Sequence, residues 1–439
     1  MVESFFVFLL AVSVLLIAFS NLELYMLGFL LVLPFIHHIV IFEAGFANFY
    51  ASYLLAVVFF FSYGLKKLVQ RKKIIELDSK GKKIILLWLC WAGLSTLNSQ
   101  LPDTSLREFI QLVYYVFLYF IVGSVNFEET ALRRFAYAWI FATTVMAILA
   151  IFNFITGQVA TWSLAGMTTA RASIFSMGPN ILGLYLLTGF FIGTVIAIHQ
   201  RRSFLGQLTL WVCVVTIFFS ILVTYSRGTL LSISGVILCY LLITPGSKKV
   251  KVAVSMVTIF GGLFLMGIGP VQYLMGTSIF RLHDSVIGRL YFAKVAAEMM
   301  ADYPLFGIGT GIYKNMLPYY SYTFFPEYLE YAITGYRHTQ TVAHNVFLQF
   351  GAEMGLPGLG LFLVFVFWQG KTTVKVLRGK NKTGTFSLTL AFQAAFFAIL
   401  FQNLSITSLT ESFWLLSAFS EQAFRLHDHN DRMLCVNRV

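Results

Sequence analysis

The sequence predicts an all-α polytopic membrane protein of about 12 helices, or 13 if the N-terminus lies outside, with one long outer-face loop. Three observations predict it. Of 439 residues, 58% are hydrophobic and only 11% charged, which leaves too little polar surface for a soluble domain of this size. Apolar runs of about 17–23 residues recur along the chain, each enough to cross a bilayer core as a helix. The loops between these runs alternate sharply in charge.

Taken in order, residues 1–65 offer apolar segments at 5–20, 22–42 and 48–65. The first has Glu3 and no Lys or Arg ahead of its apolar core, the wrong start for a secretory signal, and reads as a retained helix. Pro34 and His37-His38 mark a point where the second segment can break. Ten further spans follow at 84–97, 109–123, 135–155, 180–198, 204–224, 229–243, 252–276, 346–368, 386–403 and 411–424. The chain reads as a single transmembrane domain over 1–439 with a loop at 277–345, longer than an ordinary connector and for that reason functional. Cys90, Cys213 and Cys239 lie in apolar segments and Cys435 in the tail, so no disulfide framework is expected.

Basic residues set the orientation. Lys66 to Lys83, Arg133-Arg134, Arg201-Arg202, Lys248 to Lys251, Lys371 to Lys382 and the C-terminal tail fall on one side, which the positive-inside rule makes cytoplasmic. The 277–345 loop is then external and the C-terminus internal. The formal charge of +12 is thus a topology signal and no mark of a nucleic-acid partner.

Eight basic residues lie elsewhere: Arg107, Arg171, Arg227, Arg281, Arg289, Lys294, Lys314 and Arg337. Arginine predominates among them, whereas lysine predominates inside. A topology signal needs only charge, but a guanidinium grips phosphate with a planar fork of donors. An anionic, phosphate-bearing ligand is one reading; pairing with Asp284, Asp302, Glu327, Glu330 or lipid headgroups is the other.

Individual positions sharpen this. Arg227 in TYSRGTLLS sits in a very short turn, with Gly228 expected to supply the tight bend. Arg289 opens GRLYFAKVAAEMMADYPLFGIGTG, where a helix over 288–301 would put it near an N-terminus, a place that favours anions. Gly307, Gly309 and Gly311 have no βαβ context and read as a tight turn. Arg171 precedes Pro179 and Asn180, with Asn180 a helix cap. His344 and Asn345 stand at the mouth of the 346–368 span, where a neutral imidazole can take a proton from a hydroxyl; a histidine satisfied by backbone is the structural alternative. Arg337 and His338 are secondary candidates, and Glu353, on the same face and slightly deeper, would orient His344 or neutralise an arginine. The outer loops hold no D-x-D or carboxylate cluster of metal-ligand spacing.

YSRG, GRLYFAKVAAEMMADYPLFGIGTGIY and AHNVFLQFGAEMGLPGLGLF, with the weaker RASIFSMGPNILGLYL, together resemble the O-antigen ligase and O-antigen polymerase superfamily over roughly 170–365. The resemblance implies a metal-independent inverting glycosyltransferase of GT-C type in the bacterial inner membrane. It would act at the periplasmic face on a glycan carried by undecaprenyl diphosphate. It implies that Arg227 and Arg289, with Arg171 a further candidate, hold the diphosphate and that His344 is the base. Lipid A–core as acceptor would make it a ligase, a growing glycan a polymerase, and a protein hydroxyl an oligosaccharyltransferase. The choice would lie in the aromatic stretch within 312–340. A transporter, the alternative from another class, would place titratable residues at mid-membrane.

Overall fold

A computed structural model describes residues 20–36, 39–44, 47–158, 160–164, 167–174, 177–200, 203–244, 279–324, 342–379 and 384–436. Helices dominate: α1 (Leu22–Ile36), α2 (Ala51–Val69), α3 (Lys80–Leu97), α4 (Pro102–Ser124), α5 (Glu129–Ile155), α6 (Pro179–His199), α7 (Phe204–Val223), α8 (Arg227–Ile243), α9 (Ile279–Asp302), α10 (Tyr313–Phe324), α11 (Val346–Arg378), α12 (Gly384–Gln402) and α13 (Glu411–Val436). Two short antiparallel hairpins interrupt them, β1 (Val40–Ala44) with β2 (Ala47–Tyr50), and β3 (Ala160–Leu164) with β4 (Met167–Arg171).

Among the described residues seven helices are long and apolar enough to cross a membrane: α2, α4, α5, α6, α7, α11 and α12. This replaces the expected 12 or 13. The shortfall has physical causes. At 15 and 17 residues, α1 and α8 are short; at about 1.5 Å per residue they fall below a bilayer core of about 30 Å. Lys80, Lys82 and Lys83 occupy the first turn of α3, and Glu411, Glu421, Arg425 and Asp428 are spread along α13. The run 252–276, and 5–20 apart from Ser20, fall outside the described residues.

At the centre of the bundle α12 lies against α6 and α13, with α8 along its other side. Both α6 and α12 are mostly buried, whereas α2 and α7 present much of their apolar surface outward. Such outward faces, for example Phe204, Val212 and Phe219 on α7, suit contact with lipid.

The described part of the 277–345 region is not bare loop. It supplies α9 and α10, which enclose a small core of their own from Tyr291, Val295, Met299, Ile312, Leu317 and Tyr320. Ala343 and Ala352, which flank the start of α11, join that core. The core therefore docks the α9–α10 unit on the outer part of α11.

At the opposite end, Lys82 is fully buried. Its Nζ donates to Glu76 O at 2.8 Å, Asp78 Oδ1 at 2.8 Å, Gly123 O at 3.1 Å and Ser124 Oγ at 3.2 Å. Arg425 of α13 reaches the same Asp78 and donates to Gly123 O at 2.6 Å. Four acceptors make this a satisfied buried cation.

Candidate active site

Residues His344 and Asn345 form the junction into α11. The Asn345 side chain accepts from the amides of Phe347 (3.0 Å) and Leu348 (3.2 Å), so its oxygen caps the helix. His344 adopts φ of 51°, a left-handed conformation that costs a non-glycine residue about 1–3 kcal/mol and tends to mark functional sites. Two contacts hold it: the next amide but one, Val346 N–H, donates to Asn403 O at 2.9 Å, and the imidazole lies 5.6 Å from the Phe292 ring. Its Nδ1 is buried with no hydrogen-bond partner among the described residues.

That cleft has a volume of about 210 Å³ and is walled by Arg289, Ala293, His344, Asn345, Leu348 and Leu404. Arg289 is half-buried and, among the described residues, has neither a carboxylate nor a hydrogen-bond partner. Burial holds its guanidinium below the usual range. Burial, with Arg289 adding to it, pushes His344 down to about 4. The imidazole is therefore neutral at physiological pH. Arg289 is not at a helix N-terminus as expected: α9 begins at Ile279, so Arg289 projects from within the helix, and no helix dipole assists it.

Arg171 ends β4, and its guanidinium is hydrogen-bonded within the protein. Its Nε donates to Thr224 O at 2.9 Å, and one terminal nitrogen reaches Asn180 Oδ1 at 3.1 Å and Tyr225 O at 3.4 Å. The guanidinium thus fixes the turn before Arg227, in which Tyr225 has φ of 50°. Asn180 is no cap, since Gly178 holds that place; its side chain instead accepts from Ser226 Oγ at 3.1 Å. Arg227, half-buried, is the first residue of α8. Gly228 is helical and does not supply the bend. Its hydrogen faces Ser405 Oγ so closely that a Cβ would collide.

The link between α12 and α13 joins these parts. Asn403 receives the Val346 amide, Leu404 walls the Arg289–His344 cleft, and Ser405 abuts Gly228 beside Arg227. No motif drew attention to residues 403–405; their part emerges only from the packing. Arg337 and His338 lie outside the described residues. Lys314, another of the eight basic residues, pairs with Glu108 at 2.9 Å.

Glu353 does not reach His344. Its buried carboxylate accepts from Gln349 Nε2 at 2.9 Å and from the Tyr313 amide at 3.3 Å, and the Gly311 amide also bonds to it. Gly307, Gly309 and Gly311 have φ of 68°, 121° and 75°, so the glycine run is the tight turn expected, and the group that the Gly311 amide meets is the protein's own Glu353 carboxyl. Among the described residues no group of three or more His, Cys, Asp or Glu is placed to hold a metal.

Residues 212–363, a stretch that includes Arg227, Arg289, His344 and Glu353, match the family model described as O-Antigen ligase. No curated protein matches the chain.

Proposed function

We propose, from the premise that residues 212–363 place the chain in the O-antigen ligase family, that this multi-pass membrane protein is a glycosyltransferase that moves a glycan from undecaprenyl diphosphate to a hydroxyl of lipid A–core. The observation that carries the reading is a half-buried arginine with no carboxylate partner among the described residues, sharing a cleft with a neutral histidine. A desolvated guanidinium in that state favours an anion strongly.

In this reading Arg289 grips the diphosphate, and Arg227 meets it from the start of α8. The acceptor O–H attacks the anomeric carbon from the face opposite the diphosphate. The C–O bond to the diphosphate breaks with inversion, and the acceptor proton passes to His344 Nε2. That role needs the tautomer with its proton on Nδ1. The arginines offset charge that grows on the leaving diphosphate, where low dielectric makes the effect large. Arg171 acts behind them by holding the 224–226 turn. The cluster faces the periplasm, on the strength of the basic loops at the other end of the bundle.

Purified protein given a lipid-diphosphate glycan and lipid A–core tests the reading. Label should move to lipid A–core. Label that instead lengthens a second donor molecule would make the protein a polymerase, and uptake by vesicles without donor would make it a transporter. His344→Ala should lower turnover about 10²–10⁴-fold, the span of general-base catalysis, while donor still binds. Full activity in that variant would remove the histidine from the mechanism.

A further inference from the structure

α11 is 33 residues long and is broken at Gly355, where φ is 70° and ψ −178°. The break at Gly355, with Pro357 lacking an N–H two residues on, leaves backbone groups without helical partners, and each of the following finds a partner elsewhere. Ala352 O accepts from Ile308 N–H at 2.9 Å, and Glu353 O from Gly309 N–H at 3.1 Å and Ser95 Oγ at 2.7 Å. Met354 O accepts from Trp91 Nε1 at 2.9 Å, and Leu356 N–H donates to Pro304 O at 2.8 Å. The outer piece, Val346–Met354, is thereby fastened to the turn at the end of α9. Side chains complete the joint, for the Glu353 carboxylate holds the amides of Gly311 and Tyr313.

The joint has fixed surroundings. Gln100 N–H donates to Ile308 O at 3.0 Å, Ser105 Oγ to Thr310 O at 2.9 Å, and Thr310 Oγ1 to Ala92 O at 3.1 Å. The turn therefore sits clamped between α11 and the α3–α4 corner. Arg289 rides on α9, which runs into this turn, and His344 stands at the N-terminal end of the fastened piece of α11.

We infer that Glu353 is a positioning residue, whose carboxylate, by holding the 307–313 turn against α11, sets the spacing between Arg289 and His344. This rests on the roles given to those two residues in the transfer reaction. Carboxylate and glycine turn act as one latch between the phosphate-gripping helix and the helix that presents the base. The geometry also accounts for three left-handed glycines in a row: a Cβ at Gly307 would strike the Glu353 carbonyl, at Gly309 Ser99, and at Gly311 Glu108.

The test compares Glu353→Leu, Glu353→Gln and the milder Trp91→Phe, which deletes one hydrogen bond to Met354 O but keeps the ring stacked on Phe306. Turnover is normalised to the number of donor molecules bound per protein, so a misfolded fraction does not count. Glu353→Leu should lose about 10²-fold in kcat, the scale of a 1 Å misplacement, with donor KM nearly unchanged. Glu353→Gln, which keeps one acceptor oxygen, should recover part of the loss, and Trp91→Phe should fall between it and the parent. The acid limb of the pH–rate profile should also rise in Glu353→Leu, because His344 moves away from Arg289. A loss of folded protein would leave that limb in place. Normal normalised kcat and an unmoved acid limb in both Glu353 variants would overturn the inference. No transfer by the parent protein would instead overturn the function on which it rests.

Discussion

At residue scale, His344 combines a left-handed backbone, a buried Nδ1 with no partner among the described residues, and a neighbouring arginine. Burial and Arg289 both disfavour its protonated form, so the free protein should keep activity down to about pH 4 before the acid limb appears. A diphosphate bound at Arg289 cancels that positive field. The acid-limb pKa read from kcat should therefore lie above the one read from kcat/KM, and identical values would argue that no anion binds beside the imidazole. Stability follows the same groups. The imidazole titrates near 6.5 when unfolded and near 4 when folded, so its contribution is whole above 6.5 and is lost as pH falls through 4. His344→Asn should flatten that part of the stability–pH curve. Arg289→Lys keeps charge but loses the fork, and a drop of about tenfold or more in kcat/KM is expected. Arg289→Gln should abolish donor binding without lowering the melting temperature, since no carboxylate among the described residues loses a partner. His344 and the arginines were legible because charged groups are sparse in an apolar chain. The bonds of Glu353 were not, because Ser95, which meets its carbonyl, lies 258 residues away in sequence.

Among the elements, the kink in α11 is the most sensitive. Gly355 is left-handed and its missing side chain faces Leu305 O. Gly355→Ala should cost about 2 kcal/mol or more, from strain and from loss of the joint together, seen as a lower melting temperature in detergent. The Lys82 cluster makes a parallel case. Lys82→Met should cost about 3 kcal/mol, because it leaves the Glu76 carbonyl without its donor and takes from Asp78 one of its two cationic partners. Asp78 in the same cluster is held below the usual carboxylate range, since Lys82 and Arg425 outweigh the burial that would raise it. Its stabilising effect is present above the ordinary carboxylate pKa of about 4 and is lost as pH falls below that. Apolar run length made the seven long spans legible, and Gly307, Gly309 and Gly311 made their turn legible, whereas Gly228 did not mark the bend before α8. What composition could not show is that one lysine of a basic run is buried while its neighbours are not, a choice made by the carbonyls that α4 ends on.

For the whole molecule, the described spans bear out a multi-pass membrane protein, while their number fell below expectation wherever charge or shortness interrupted a run. Orientation is open to direct measurement. Lys294→Cys, exposed on α9, should react with an impermeant maleimide in intact spheroplasts, and Arg378→Cys only after permeabilisation, each against the parent's own cysteines. The opposite pattern would turn the proposed site toward the cytoplasm. The burial of α6 and α12 also bears on synthesis. The two helices lie far apart in the chain, yet each fills the middle of the other's surroundings. When α6 emerges from the ribosome its future partner has not been made, and the side of α6 that α12 covers in the finished protein stands open. Nascent chains that lack α12 must then be retained by the insertion machinery or pair transiently with something else. A truncation just before α12 should accordingly mark a folding intermediate rather than a smaller stable protein.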